Sequence, residues 1–517
     1  MSPVFAQAFS QLPGALGGHV LVSACALLLA AAISLPLAVV SVRSPRLRWI
    51  ALAGASLIQT IPSLALLALF YPLLLLVSAA AKATSGHGFP ALGFLPALLA
   101  LTLYAILPML RNAVAGLTGV DPAVLEAADG VGMTAGQKFR RVQAPLAAPV
   151  VMAGVRNAAT WTIGAATLAT AVGQTSLGDY IFSGLQTESW ALVLFGCAAS
   201  AALALTVDGL LALVEVGLKR RDRARVAVGL GLLSALLIAA IAPAVAGSFR
   251  PKAYVIGAKN FSEQYILADL MASRLERESA RVAQKSDLGS AIAFRALAAN
   301  DLDAYVDYSG TLWSNVLKRT DTPPRAELLK ELTAELKRRY GVTVLGSLGF
   351  ENAYALAMRR ADAERLHVTS LADLGPHAPE LSLGSDLEFL SRPEWKALSS
   401  TYSLKFRSER RFQPTFMYRA VAGREVDVIS AFSSDGRIAA LDLVTLADPK
   451  AAAPSYDAVV LLSPARAADA KLRRALTPLV GRIDVTAMRR ANLAVDRDEH
   501  KISPVQAAAD LARSLGL

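Results

Sequence analysis

Hydrophobic and polar positions divide this chain near residue 247. Before that point charges are scarce, and apolar residues run on for the roughly 20 positions that a bilayer-spanning helix needs. Such stretches cover about 18–42, 49–80, 90–118, 148–173 and 190–217, with a sixth from Val226 to Ala246. The second carries Pro62 and Pro72, which predicts a kink or break, and the third carries Pro96 and Pro108. After residue 247 strand-like and helix-like segments alternate. Ala253–Gly257, Val342–Leu345, Ala353–Met358 and Val426–Ile429 read as strands, and an amphipathic helix runs to about Glu278. That alternation predicts an α/β domain.

Charge adds a direction. Arg43, Arg46 and Arg48 follow the first span, Arg111 and Lys138–Arg141 the third, and Lys219–Arg225 the fifth, whereas the alternate loops carry little beyond Lys82. The positive-inside rule then places the N-terminus outside, and span six delivers everything after about Gly247 outside the cytoplasm. Residues 1–17 lack the basic start of a cleavable signal peptide. The 517 residues carry a formal charge of +11, with 14 Lys and Arg against 8 Asp and Glu before residue 248 and 38 against 33 after it. So mild an excess does not argue for a nucleic-acid partner. The two cysteines, Cys25 and Cys197, both lie in apolar segments, leaving the polar half without disulfide or thiolate chemistry. Phosphate-loop, zinc-protease and nucleophile-elbow patterns are missing, as is any Cys/His cluster. The expectations are therefore no metal, no catalytic residues and no ATP hydrolysis in this chain.

Between spans three and four the loop 121–145 is too long for a turn and too patterned for a linker. Asp121 caps a helix that starts at Pro122 and carries Glu126, Ala127 and Ala128; Gly132 ends it; a second short helix is expected from Gln137 to Pro145. The spacing from Glu126-Ala127-Ala128 to Gly132 and on to Pro145 resembles the coupling loop of ATP-binding-cassette (ABC) import permeases, with Val142 and Ala144 where that pattern has Ile and Leu. The resemblance implies docking onto a separate cytoplasmic ATPase subunit, ATP being bound there, and pairing of two permease copies in the membrane lipid. Ile58–Leu64, Leu103–Pro108, Arg111–Gly116 and Thr175–Gly178 are similar to permeases for osmoprotectant quaternary amines.

In the polar half, Ile256–Gln264, Asp303–Thr311, Gly349–Leu356, Glu388–Arg392 and Phe432–Arg437 resemble signatures of glycine betaine/choline-binding proteins. The fold class implied is an α-helical importer permease, with about five core spans and one anchoring span, followed by a two-lobed periplasmic-binding-protein domain. The expected domains are 1–222 (permease), 223–251 (sixth span and linker, including Gly247–Pro251) and 252–517 (binding domain).

A quaternary ammonium has no N–H to donate, so aromatic faces must hold it. The family's box of four tyrosines carries over to Tyr308, Tyr354, Phe432 and Tyr456, with Phe432 a departure that loses a hydroxyl. Arg392 is the match for a carboxylate fork, Lys259 is a second candidate, and Gln264 and Asn352 would supply polar lining. Glu351 reads either as a counter-charge or as a solvated loop carboxylate. Glycine betaine, choline, carnitine and ergothioneine all remain open as ligands. A membrane-anchored sensor is the other reading, although the chain offers only short cytoplasmic loops for output.

Overall fold

The computed structural model describes residues 3–187, 189–248, 253–386, 388–497 and 499–517. Two compact units are present: Phe5–Phe182 with Ala191–Pro251 form one, and Lys252–Leu517 the bulk of the other.

Five helices among the described residues of the first unit are long and apolar enough to cross a membrane: Ala8–Val42, Ser63–Ser85, Phe94–Thr118, Trp190–Arg220 and Arg223–Ala242. The expected span 49–80 is two helices. Pro45–Thr60 ends at Ile61, Ser63–Ser85 begins anew, and Pro62 sits between them because it cannot donate to the helix before it. The expected span 148–173 also differs. Its helix, Ala144–Ala166, is not among the five apolar helices, since it carries Arg156 and Asn157, and it tightens into a 3₁₀ segment, Thr167–Val172. It packs tightly on Phe94–Thr118: a Cβ on Gly154 would lie 2.5 Å from Cβ of Asn112, and one on Gly116 would lie 3.1 Å from the Ala147 carbonyl. Small residues at such crossings let backbones approach in lipid. Arg156 is held by two carboxylates of Trp190–Arg220, with Nε and Nη2 on Asp208 at 3.0 and 2.9 Å and Nη1 on Glu215 at 2.7 Å.

The loop 121–145 folds as two helical pieces. Asp121 accepts the Ala123 N–H at 2.9 Å and starts the helix Pro122–Gly130. Gly132, at φ +76°, takes the left-handed turn that ends it. Thr134 and Gln137 close a reciprocal capping box around the next turn, Ala135–Lys138. This second piece does not stop at Pro145. It passes through a π-helical turn, Phe139–Gln143, directly into Ala144–Ala166, because proline in a first turn needs no N–H. Arg223–Ser248 is one helix, and the rest of the expected linker, 249–251, lies outside the described residues.

The second unit has two five-stranded sheets. The first contains β1 (Tyr254–Lys259), β2 (Val282–Leu288), β3 (Ala304–Tyr308), β4 (Thr343–Glu351) and β10 (Asp457–Leu462), in the order β2-β1-β3-β10-β4. The second contains β5 (Tyr354–Arg359), β6 (Ser382–Ser385), β7 (Ser408–Arg411), β8 (Val428–Phe432) and β9 (Leu443–Thr445), in the order β7-β6-β8-β5-β9. Both sheets mix parallel and antiparallel pairs. Strands β3 and β10 are buried along their whole length; after Asp457 β10 reads as a continuous apolar run, whereas β3 carries the buried Asp307, which pairs with Lys259. The helix Ser262–Arg277 buries most of its face in the first lobe's core.

The chain crosses between lobes twice in the described region, from β4 to β5 at Asn352-Ala353 and back before β10. These crossings are tied: the Asn352 N–H donates to the Tyr456 carbonyl at 2.9 Å.

Candidate ligand site between the two lobes

Sheet register brings the aromatic candidates together. Tyr354 opens β5 and lies directly across the antiparallel ladder from Phe432, the last residue of β8. Tyr308 ends β3, and Tyr456 immediately precedes β10, whose Ala458 faces Tyr308. The ring of Tyr354 lies 4.9 Å from that of Phe432 and 6.0 Å, edge-on, from that of Tyr456. Phe261 completes the set, stacked on Phe432 at 6.1 Å and on Tyr308 at 6.2 Å. All five rings line one cavity of about 110 Å³, about the size of a small organic solute.

The polar candidates divide. Arg392 lines this cavity, 91% buried, with its guanidinium 5.1 Å from the Tyr354 ring centre. Nη2 bonds Glu388, while Nε and Nη1 have no hydrogen-bond partner. Lys259 also lines it, held on Asp307 at 2.5 Å and lying 4.8 Å from the Tyr308 ring centre. Asn352 lines the cavity and donates to Glu263 at 3.1 Å. Gln264 is not among the lining residues; it lies behind Tyr308 and donates to its hydroxyl at 2.9 Å. Glu351 pairs with Arg325 at 3.2 Å, beside the Arg325–Asp457 pair, and is not a lining residue either.

Four groups at this site were not read from the sequence. Phe261 and Glu263 sat inside the motif Ile256–Gln264, where alternation gives no sign of which side chains converge. Glu263 is buried at the first turn of Ser262–Arg277 and accepts four hydrogen bonds, from Tyr308 Oη at 2.6 Å, Asn352, Ser434 Oγ at 2.6 Å and Asn492 Nδ2 at 2.8 Å. Burial pushes its carboxyl up, and these donors pull it back. Glu394, two residues after Arg392, accepts the Tyr456 hydroxyl at 2.7 Å. Asp386 lines the cavity with one oxygen on the Glu388 and Phe389 N–H groups and the other unpartnered. Burial pushes the Asp386 carboxyl up, against those two N–H groups.

Chemically, the arrangement offers aromatic faces for a cation and two unused guanidinium N–H directions for an anion. The described residues contain no group of three or more His, Cys, Asp or Glu placed to hold a metal ion.

Comparison with known proteins agrees with this division. Residues 252–513 match the substrate-binding domain of ABC-type glycine betaine transport systems, and residues 28–220 match the inner-membrane component of binding-protein-dependent transport systems. The ergothioneine transport permease/ergothioneine-binding protein of Helicobacter pylori (strain G27) is 28% identical over 419 residues, covering 78% of this chain and 72% of its own. The choline transport system permease protein of Bacillus subtilis (strain 168) is 39% identical over 197 residues, covering 38% of this chain and 83% of its own. A solved glycine betaine/carnitine/choline ABC transporter structure aligns with 50% of this chain and 98% of its own at 26% identity, with a TM-score of 0.45. The chain thus belongs to the ABC import systems of the glycine betaine type, as a multi-pass inner-membrane permease fused to its substrate-binding domain.

Proposed function

We propose that the two-lobed domain captures a quaternary-ammonium solute such as glycine betaine, choline or carnitine, and that the permease in the same chain admits it to the cell. The observation that carries this is the convergence of Tyr308, Tyr354, Phe432, Tyr456 and Phe261 on one cavity with Arg392 at its side. Such faces hold a trimethylammonium group, which has no N–H to donate, at roughly 0.5–2 kcal/mol per ring. Nε and Nη1 of Arg392, which make no hydrogen bond within the protein, suit the carboxylate of a betaine.

In this reading residues 1–222 form the permease, 223–251 anchor the binding domain outside the cytoplasm, and 252–517 bind the ligand. The helix Pro122–Gly130 docks a separate ATPase subunit through its exposed residues, Glu126 and Ala127 among them, while Ala128 is buried and Gly132 and Pro145 shape that loop. Two copies pair to make one pathway. No cofactor belongs to this chain; ATP is bound on the partner subunit.

Ergothioneine is the second reading. The relative named for it aligns over 78% of this chain, and the cavity wall adds Asp386, Asn260, Ser290 and Gln413, which could satisfy polar atoms beyond a carboxylate.

Calorimetric titration of the full chain in nanodiscs with glycine betaine, choline, carnitine and ergothioneine tests the proposal. Binding of at least one, lost in Tyr308→Ala, supports it. Failure of all four to bind removes the quaternary-ammonium reading.

A further inference from the structure

Two of the cage rings are backed by buried carboxylates. Tyr308 donates its hydroxyl to Glu263 and Tyr456 donates its own to Glu394. Glu263 is 3% exposed and Glu394 is 2% exposed. The partners of Glu263 are two hydroxyls and two amide NH₂ groups, one pair on each oxygen, which is the complement of an ionised carboxylate. Glu394 keeps one oxygen without a partner.

The charge balance shows what these groups are for. Two protein cations already crowd the cage, Lys259 over Tyr308 and Arg392 over Tyr354. Lys259 is matched by Asp307 and Arg392 by Glu388, with Glu394 a further 3.9 Å from Arg392 Nη1. A trimethylammonium would bring a third cation, balanced by Glu263 and Asp386 together with Glu394, whose single contact with Arg392 is long. A phenol that donates to a carboxylate becomes more electron-rich, which deepens the negative face of its ring, and the carboxylate adds its own field in a dry site.

We propose that Glu263 and Glu394 are specificity-determining residues: through the hydroxyls of Tyr308 and Tyr456 they charge the cage, so that it selects a cationic headgroup over an uncharged one of the same shape. This rests on the quaternary-ammonium reading above. Neither residue lines the cavity; each reaches it through a ring hydroxyl.

The test compares glycine betaine with tert-butylacetate, in which carbon replaces the ammonium nitrogen and shape is kept. Full-length wild type, Glu394→Gln and Glu263→Gln are titrated with both in nanodiscs, and thermal melts check folding. The expected result is a loss of about tenfold or more in glycine betaine affinity in each variant, the size of a unit charge acting across a partly polar site, with tert-butylacetate affinity unchanged or increased. Equal losses for both ligands, or unchanged glycine betaine binding, overturn the inference. Should Glu263→Gln fail to fold, Glu394→Gln alone decides. If wild type binds none of the trimethylammonium ligands, the quaternary-ammonium reading itself fails; if wild type binds and only the discrimination is insensitive to the variants, this inference alone fails.

Discussion

A Cβ on Gly310 would lie 2.7 Å from Cζ and Cε2 of Tyr456, so the backbone after β3 is pressed against the ring that closes the cage. Gly310 is thus part of the site without offering any group to it. Gly310→Ala should push the Tyr456 ring out of place. We expect overpacking to lower stability by about 1–3 kcal/mol and ligand affinity to fall at least about tenfold. Thermal melts with and without ligand check both; unchanged affinity would mean that the ring position does not matter.

Arg392 separates ligand classes. Arg392→Gln removes the only guanidinium that lines the cavity among the described residues and leaves the rings in place. Glycine betaine and carnitine should bind roughly tenfold or more weaker, since charge-assisted bonds are worth about 1.5–3 kcal/mol, while choline, which has no carboxylate, should lose little. Equal losses across the three would show that Arg392 only holds Glu388 in place.

Glu126 stands exposed on Pro122–Gly130, away from the ligand cavity in sequence and in unit. Glu126→Lys should abolish ligand uptake into cells or ATPase-loaded vesicles and leave ligand binding by the purified chain intact. Undiminished uptake would separate this loop from energy coupling.

Arg156 carries two carboxylates within the apolar unit, with all three side chains at most a third exposed. Arg156→Met leaves Asp208 and Glu215 side by side without their cation, and two neighbouring half-buried carboxylates repel each other. The variant should show a lower melting temperature in detergent and lower yield in membranes. Adding Asp208→Asn and Glu215→Gln should restore most of both.

Local pattern by itself determined a good deal. Apolar length fixed a membrane half, and the charge distribution placed its end near residue 247. Asp121 with Pro122, and Gly132 ten residues on, were enough to specify the start and stop of the first coupling helix, because capping and left-handed turns depend on immediate neighbours. Strand–helix alternation gave the α/β class, and the motifs marked Tyr308, Tyr354, Phe432 and Tyr456 as residues worth bringing together.

Tertiary structure decided what depends on distance. The break at Pro62 was legible from the proline, but the pairing of Arg156 with Asp208 and Glu215 follows from how that helix finds its partners, which hydropathy alone does not report. Whether Gln264 and Glu351 line the cavity was settled by the Tyr308 hydroxyl and by Arg325, groups remote in sequence from one or both. Phe261, Glu263 and Glu394 joined the site only because β3, β8 and the crossing before β10 meet there. A buried carboxylate is tolerated where its donors converge, and the donors to Glu263 come from Tyr308, Asn352, Ser434 and Asn492, spread over 185 positions of chain. No one-dimensional spacing rule spans that interval; only the closed pair of sheets does.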